Sequence, residues 1–228
     1  MPEDQPLAGA SERSTAVGVQ AVYDAVSRAY DAQLGDELTG KPLDRALLEG
    51  FLELAGTDGI ADVGCGPGHI TRFLAARHPD VIGVDVSPGM IALARERAPE
   101  LTFVVGSMLQ LPVEDGTWAG VLAMYSIIHL VPQERVGAWQ EFARALRPRG
   151  WLLVSFHVDS AEFAAGQINH ITSWFDEPVD IDGYFLDPAE ITAELKAAGF
   201  DVMATVERQP IPAVEYPSRR CYLLAQRC

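Results

Sequence analysis

The apolar positions of this chain follow helical spacing near its start and then form short runs. Over residues 16–30 and 43–54, apolar side chains recur every three or four positions, which is the spacing of one helix face. Short, largely apolar runs follow at 60–63 and 81–85, and such runs are typical of strands buried on both faces. The pattern therefore predicts two helices ahead of a first buried strand.

Strands and helices continue to alternate along the rest of the chain. Further strands are predicted at 101–105, 121–124, 151–156, 202–207 and 221–225. Amphipathic stretches between them predict helices, two of which begin at Pro88 and Pro132, a favoured first position for proline. A last helix over 188–198 ends before Gly199. This order favours an α/β fold, in which helices cover both faces of a parallel sheet.

Composition limits the domain organisation and the compartment. The 228 residues are enough for one well-buried domain, and no break in composition divides 16–228. Residues 1–15 are polar and contain proline, which predicts disorder. The start of the chain lacks the basic and then apolar order of a secretory signal, and no apolar run reaches the roughly 18 residues that cross a membrane. We expect a cytoplasmic protein without a membrane partner.

Charge and cysteine content exclude further classes. The formal net charge of −15 argues against a nucleic-acid partner, because phosphate binding needs clustered lysine and arginine. The three cysteines have neither an even number nor paired spacing, which argues against disulfides and zinc. No tight group of Asp, His and Glu indicates a metal site, so we expect metal-independent chemistry.

The strongest chemical signal is a glycine-rich segment after the first predicted strand. Gly64, Gly66 and Gly68 follow Asp62 at every second position, and Asp85 ends the next strand, 21 residues beyond Gly64. Glycine permits backbone angles and a close approach to ligands that other residues forbid. A carboxylate at this distance meets the ribose diol in nucleoside-binding α/β sheets. The segment therefore predicts a cofactor that carries a nucleoside.

The residue at position 69 distinguishes a dinucleotide cofactor from other cofactors that carry a nucleoside. A dinucleotide fingerprint of the form G-x-G-x-x-G would need its third glycine at position 69, where this chain has His69. The mismatch disfavours a nicotinamide- or flavin-linked oxidoreductase, which is kept as an alternative.

With Asp62 included, the segment resembles the Asp-x-Gly-x-Gly-x-Gly motif of class I S-adenosylmethionine-dependent methyltransferases. The resemblance extends from about Tyr23 to Leu224 and includes, in family order, the ribose segment at 85–90, the adenine segment at 106–112 and the turn into the fifth strand at 146–153. It implies a doubly wound, mostly parallel sheet of seven strands with N-terminal helices and a final antiparallel hairpin. It also implies S-adenosylmethionine as cofactor and S-adenosylhomocysteine as product.

The resemblance assigns the cofactor site to residues near the carboxyl ends of the strands. The predicted cofactor-binding residues are Tyr30, Asp62, Gly64, Cys65, Gly66, Gly68, Asp85, Val86, Met90, Ser107, Met108 and Tyr125. Cys65 is interpreted as a small residue in a tight loop and not as a nucleophile. His129 and His157 follow strand ends and are the candidates for a general base, with structural packing as the alternative for each.

The segment between the fifth strand and the last helix is the predicted source of acceptor specificity. Residues 156–185 hold six aromatic side chains and six carboxylates but neither lysine nor arginine. This composition favours a small neutral or cationic acceptor of aromatic or apolar character. The alternative is that the acids face water and the rings fill the core. We expect residues 16–55 and 156–187 to form a cap over the acceptor.

The predicted activity is methyl transfer to a small molecule of specialised metabolism, with oxygen favoured as the acceptor atom and nitrogen or carbon as alternatives. The expected assembly is a monomer or homodimer. A second hypothesis is a protein of the same fold that binds S-adenosylmethionine for cyclisation, for isomerisation or as a regulatory binder.

Overall fold

Seven strands of the chain form one twisted sheet in the computed structural model, which describes residues 16–228. The predicted disorder of residues 1–15 lies outside the described residues. The strands are β1 (Ile60–Val63), β2 (Val81–Asp85), β3 (Thr102–Val105), β4 (Trp118–Met124), β5 (Leu146–Ser160), β8 (Phe200–Arg208) and β9 (Ser218–Arg227). Their order across the sheet is β3-β2-β1-β4-β5-β9-β8. The first five are parallel, and β9 runs antiparallel to both β5 and β8.

Within residues 16–228, six helices and two short 3-10 turns precede or connect the strands. The helices are α1 (Ala16–Leu34), α2 (Pro42–Ala55), α3 (His69–Ala75), α4 (Pro88–Arg97), α5 (Pro132–Ala145) and α6 (Pro188–Ala197), and the 3-10 turns are Glu37–Gly40 and Ile127–His129. Proline begins α4 and α6, and in each the preceding side chain caps the helix. The Ser87 hydroxyl accepts from the Met90 N–H, and the Asp187 carboxylate accepts from the Ala189 N–H.

The two faces of the sheet bury separate cores, because successive residues of a strand point to opposite sides. On one face Trp139 and Phe142 of α5 pack with Val121 of β4. On the other face Leu48 and Phe51 of α2 pack with the next residue of that strand, Leu122. All seven residues of β4 are buried, as expected for a central strand covered on both sides. The predicted doubly wound, mostly parallel sheet with a final antiparallel hairpin is therefore confirmed.

A second, two-stranded sheet was not predicted. β6 (Ile168–Trp174) and β7 (Glu177–Tyr184) pair in antiparallel fashion within the stretch that the sequence left without elements. The turn between them consists of Phe175 and Asp176, which both have positive φ angles (54° and 65°). Such hairpin turns usually carry Asn-Gly, and the absence of that signal explains why the hairpin was missed. β5 is also longer than the predicted 151–156.

Two features are absent from residues 16–228. No helix there is both long and apolar enough to cross a bilayer. Within the same range, no group of three or more His, Cys, Asp or Glu side chains is arranged to hold a metal ion.

Candidate functional site

A cleft of about 780 Å³, part of it open to solvent, lies at the carboxyl ends of the central strands. Nine residues of the predicted site line it: Tyr30, Gly64, Gly66, Asp85, Val86, Ser107, Met108, Tyr125 and His129. It is also lined by Gly106 and Leu109 of the predicted adenine segment, and by residues outside the predicted site, namely Val19, Tyr23, Val63, Met124, Ser126 and Leu130. Segments far apart in the sequence thus converge on one cleft, as parallel α/β sheets favour.

The glycine loop between β1 and α3 has a conformation that other residues rarely adopt. Gly64, Gly66 and Gly68 all have positive φ angles, of 77°, 54° and 78°. A Cβ atom at position 64 would lie 2.2 Å from the Cβ of Ser126, and one at position 68 would lie 2.8 Å from the Phe103 ring. The loop therefore needs glycine for its backbone angles and for the space that its neighbours leave.

Asp85 ends β2 with its carboxylate already organised by the backbone. The Gly66 N–H donates to Oδ2 at 2.8 Å, and the Ser87 N–H donates to Oδ1 at 2.9 Å. Burial raises the pKa of this carboxyl, these two hydrogen bonds oppose the rise, and the nearby Asp24 adds to it. A carboxylate fixed in this way at the cleft wall can accept hydrogen bonds from a ligand diol.

Four predicted cofactor residues lie beneath the cleft and do not line it. Asp62 is 1% exposed and accepts a hydrogen bond from the Thr71 hydroxyl at 2.7 Å, while burial raises its pKa to about 6. Cys65 packs with Phe103, and burial raises the pKa of its thiol well above the ordinary value, which makes it a poor nucleophile. Met90 is fully buried in α4, and Gly68 is buried at the start of α3. Their positions support the loop.

The segment after β3 turns sharply beside Asp85. The Gly106 N–H donates to the Asp85 carbonyl oxygen at 2.9 Å, which brings Ser107 and Met108 to the cleft. The Ser107 hydroxyl accepts from the Leu109 N–H at 3.1 Å, so it stabilises its own turn. Its proton is therefore available to a ligand.

Four aromatic rings cover the cleft from the outside. Tyr23 and Tyr30 of α1 meet Trp174 and Phe175 of the β6–β7 hairpin, with ring centroids 5.0–6.1 Å apart. The arrangement is mostly edge to face, which aromatic pairs favour. α1 and the hairpin thus form one cover, whereas α2, which was also predicted to belong to the cap, packs on the sheet.

The Asp24 carboxylate anchors α1 to the start of α4. Its Oδ1 accepts from the Ser87 hydroxyl at 2.5 Å and from the Gly89 N–H at 2.8 Å. The negative charge lies at the positive end of the α4 dipole, where it is stabilised. This contact has no local sequence signal, because its partners are more than 60 residues away.

His129, the first predicted base, has both ring nitrogens bonded within the protein. Nδ1 lies 2.8 Å from the carbonyl oxygen of Asp182, and Nε2 lies 2.8 Å from the Tyr23 hydroxyl. Since a carbonyl only accepts, the neutral ring carries its proton on Nδ1 and accepts from Tyr23 through Nε2. Burial lowers the pKa of His129, which favours this neutral form. The histidine joins α1, the 3-10 turn and the hairpin above the cleft.

His157, the second predicted base, lies beyond Tyr125 and does not line the cleft. Its Nδ1 is 2.6 Å from the Ser218 hydroxyl, and its ring centroid is 5.1 Å from that of Tyr125. Burial, with the charges of Arg220 and Lys41, lowers the pKa of His157 to about 3. The imidazole is therefore neutral at physiological pH.

The lowered pKa of His157 predicts a pH dependence of stability. Its folded pKa lies below the unfolded value near 6.5, so the unfolded chain binds the extra proton and wild-type stability falls as the pH drops from about 6.5 toward 3. His157→Asn lacks this titration and should lose less unfolding free energy over that interval. Urea unfolding at pH 7, 6, 5 and 4 measures the difference, in which the common contribution of Asp62 cancels. Identical pH profiles would refute the assignment.

The acidic side chains of 156–185 are placed away from the cleft. Asp159 pairs with Arg219, Asp182 pairs with His170, and none of the six carboxylates lines the cleft. Among the cleft-lining residues that the structure describes, the only charged side chain is Asp85, and lysine and arginine are absent. The cleft is thus apolar and aromatic with one carboxylate.

Comparison with known proteins shows that this chain is similar to methyltransferases in part of its sequence and in its fold. A family model described as a methyltransferase domain matches residues 60–150. A demethylmenaquinone methyltransferase of Beutenbergia cavernae is 31% identical over 140 residues, which cover 60% of this chain and 57% of the relative. The chain thus spans little more than half the length of that relative.

Two solved structures share the fold over nearly all of both chains. One is a 1,6-didemethyltoxoflavin-N1-methyltransferase of Burkholderia thailandensis with bound 1,6-didemethyltoxoflavin and S-adenosylhomocysteine; its TM-score is 0.71 at 20% identity, covering 99% of this chain and 93% of that one. The other is the [4+2]-cyclase SpnF, with a TM-score of 0.71 at 20% identity, covering 93% and 96%.

Proposed function

We propose that this chain is a class I S-adenosylmethionine-dependent methyltransferase, which transfers a methyl group from S-adenosylmethionine to a small molecule. The product of the cofactor is then S-adenosylhomocysteine. The observation that carries the proposal is the convergence of the glycine loop, the Asp85 carboxylate and the 106–108 segment on one cleft.

The residues of the cleft fit the parts of this cofactor. In the proposal the Asp85 carboxylate accepts from the ribose hydroxyls, and the backbone at Gly64 and Gly66 allows close approach. Ser107 and Met108 contact the adenine, with the Ser107 hydroxyl as a donor. Tyr30 covers the glycine loop, since its ring lies near Gly66. Asp62, Cys65, Gly68, Met90 and Val86 support or border this site.

The protein's part in the reaction is mainly alignment. S-adenosylmethionine supplies a methyl group made electrophilic by the adjacent sulfonium. The aromatic cover of Tyr23, Tyr30, Trp174 and Phe175 excludes water from the cleft, and the walls orient the acceptor. Orientation alone is worth roughly 7–11 kcal/mol in well-aligned reactions.

The lining of the cleft favours a neutral or cationic acceptor of aromatic or apolar character. An anion that leaves water here would find no lysine or arginine among the described lining residues, and burying an unpaired charge is costly. Aromatic and apolar side chains dominate the walls and suit a ring or hydrocarbon. The acids of 156–185 do not contribute to this argument, because they lie elsewhere.

Oxygen is the first acceptor atom of the proposal, with nitrogen and carbon as alternatives. A hydroxyl acceptor would benefit from a base, but both nitrogens of His129 are already bonded, and His157 lies behind Tyr125, outside the cleft lining. With a pKa of about 3, His157 is a weak base, so its contribution to the rate is small beside that of alignment.

A second function with the same cofactor site is cyclisation or isomerisation of a bound small molecule, or regulatory binding. One observation favours it: the only histidine among the described residues of the cleft has no nitrogen left to take a proton. The similarity of the fold to a [4+2]-cyclase is compatible with this alternative.

Transfer of radiolabelled methyl groups tests the proposal. Purified protein with labelled S-adenosylmethionine should label phenols, alcohols or amines, and should leave matched carboxylic acids unlabelled. Calorimetry with S-adenosylmethionine and NAD runs in parallel. Tight binding of S-adenosylmethionine without label in any acceptor would favour the second function, and tight binding of NAD alone would contradict both.

We further propose a cytoplasmic monomer or homodimer in specialised metabolism that acts without nucleic acid or membrane, with α1 and the β6–β7 hairpin as the acceptor cap. The net charge of −15 supports the absence of a nucleic-acid partner. The ring contacts between α1 and the hairpin support the cap.

A further inference from the structure

A buried hydrogen-bonded network lies behind Tyr125, on the side of the sheet that α2 covers. We call it the Tyr222 network; its members are Asp44, Tyr125, Arg208, Glu215 and Tyr222. The Tyr222 hydroxyl is central: it lies 2.8 Å from the Tyr125 hydroxyl, 2.8 Å from Asp44 Oδ1 and 2.7 Å from Arg208 Nη2. Arg208 also donates to Asp44 Oδ2 at 2.8 Å and pairs with Glu215 at 2.6 Å.

The direction of each hydrogen bond in the network is fixed by chemistry. Arg208 can only donate, and the Asp44 carboxylate paired with it can only accept. The Tyr222 hydroxyl therefore donates its one proton to Asp44 and accepts from Arg208. The Tyr125 hydroxyl must then donate its proton to the Tyr222 hydroxyl oxygen. The network thus dictates where the Tyr125 hydroxyl points.

Tyr125 is also constrained at its backbone. It is not a glycine, yet its φ angle is 54°, a conformation that persists only where the surroundings hold it. Its N–H donates to the carbonyl and the hydroxyl oxygens of Ser155, at 3.0 and 3.1 Å. The next residue, Ser126, lies against Gly64 and donates to the Val63 carbonyl oxygen at 2.9 Å. The turn at Tyr125 thus joins β4 to the glycine loop.

The Tyr125 ring separates the cleft from buried charges. Its hydroxyl ends in the Tyr222 network, while the residue lines the cleft. Lys41 Nζ and the Arg220 guanidinium lie 5.7 and 5.9 Å from the ring centroid, and the His157 ring lies at 5.1 Å. A ring held from several directions is a rigid wall at the carboxyl end of β4.

We propose that Tyr222 and Asp44 are positioning residues for methyl transfer, which act by holding the Tyr125 ring as the wall against which the acceptor is aligned. The inference rests on the proposed function and extends it to residues that do not line the cleft. Without its hydrogen bond, the Tyr125 ring gains freedom about its side-chain torsions. Misplacement by about 1 Å can cost a reaction on the order of 100-fold.

A double-mutant cycle tests whether Tyr222 acts through Tyr125. Tyr222→Phe and Tyr125→Phe each break the hydrogen bond between the two hydroxyls, so each should lower kcat by about tenfold. The Kd for S-adenosylmethionine should change less than twofold, because the Tyr125 hydroxyl points into the network and the ring stays in the cleft wall. The double variant should be no slower than the slower single variant, because both remove one interaction. Two independent residues would instead give multiplied losses.

Aspartate variants supply a matched control. Asp44→Asn should lower kcat with an unchanged Kd, whereas Asp58→Asn, which alters a surface ion pair with Arg147, should leave kcat at the wild-type value. Thermal melting checks that each variant is folded. If Asp44→Asn does not fold, the Tyr125→Phe variant tests the inference instead.

The outcomes separate the inference from the proposed function. The inference alone is overturned if the wild type transfers methyl groups but the losses in kcat multiply in the double variant. It is likewise overturned if the wild type is active and Tyr222→Phe is as fast as the wild type. Absence of transfer by the wild type to every acceptor overturns the proposed function and the inference with it.

Discussion

Replacing Asp85 with alanine should lower the affinity for S-adenosylmethionine by about 10²–10⁴-fold. Hydrogen bonds to a charged group are worth about 1.5–3 kcal/mol each, and two ribose hydroxyls would lose theirs. The change also leaves the Gly66 and Ser87 N–H groups without the carboxylate that organises them. Calorimetric titration measures the loss.

Two further variants show whether the effect is specific to this carboxylate. Asp85→Asn keeps the shape and one acceptor oxygen, so its affinity should lie between those of the wild type and Asp85→Ala. Asp80 is an exposed carboxylate that precedes the first residue of β2, whereas Asp85 is the last residue of that strand. Asp80→Ala should therefore bind S-adenosylmethionine like the wild type. If Asp85→Ala bound as tightly as Asp80→Ala, the ribose assignment would be wrong.

Replacing Gly64 with alanine should lower the free energy of unfolding by about 2–5 kcal/mol and weaken cofactor binding. The positive φ angle of 77° costs other residues roughly 1–2 kcal/mol, and the added methyl would meet the Ser126 Cβ at 2.2 Å. In a domain of this size, each kcal/mol corresponds to about 2–4 °C in Tm. Thermal and urea unfolding both measure the loss.

Gly50 provides the matched control for Gly64. It lies inside α2, and a Cβ atom there would meet no atom within 4 Å. Gly50→Ala should therefore raise stability by about 0.5–1 kcal/mol, because alanine favours a helix. Equal stabilities for Gly50→Ala and Gly64→Ala would contradict the explanation of the glycine loop.

The fold and the convergence of the predicted site residues on one cleft were predictable because their signals are local in sequence. The glycine loop, Asp85 and the alternation of apolar runs each lie within a few residues, and the carboxyl ends of parallel strands meet at one edge. Nine predicted site residues accordingly line the cleft.

The environment of the two histidines could not be predicted, since it depends on distant residues. His129 contacts Tyr23 and Asp182, which are 106 and 53 residues away along the chain, and His157 contacts Ser218, 61 residues away. Both histidines follow predicted strand ends, which predicts that they lie near the cleft. Only the tertiary structure shows which of their ring nitrogens are hydrogen-bonded. The same limit applies to the β6–β7 hairpin, which lacks the usual turn residues.

Crystals of this protein grown with S-adenosylhomocysteine test the central claim most directly. The account predicts one nucleoside in the cleft, with both ribose hydroxyls on the Asp85 carboxylate and the adenine beside Ser107 and Met108. A nucleoside bound outside the cleft, or one in the cleft with its ribose away from Asp85, would contradict it.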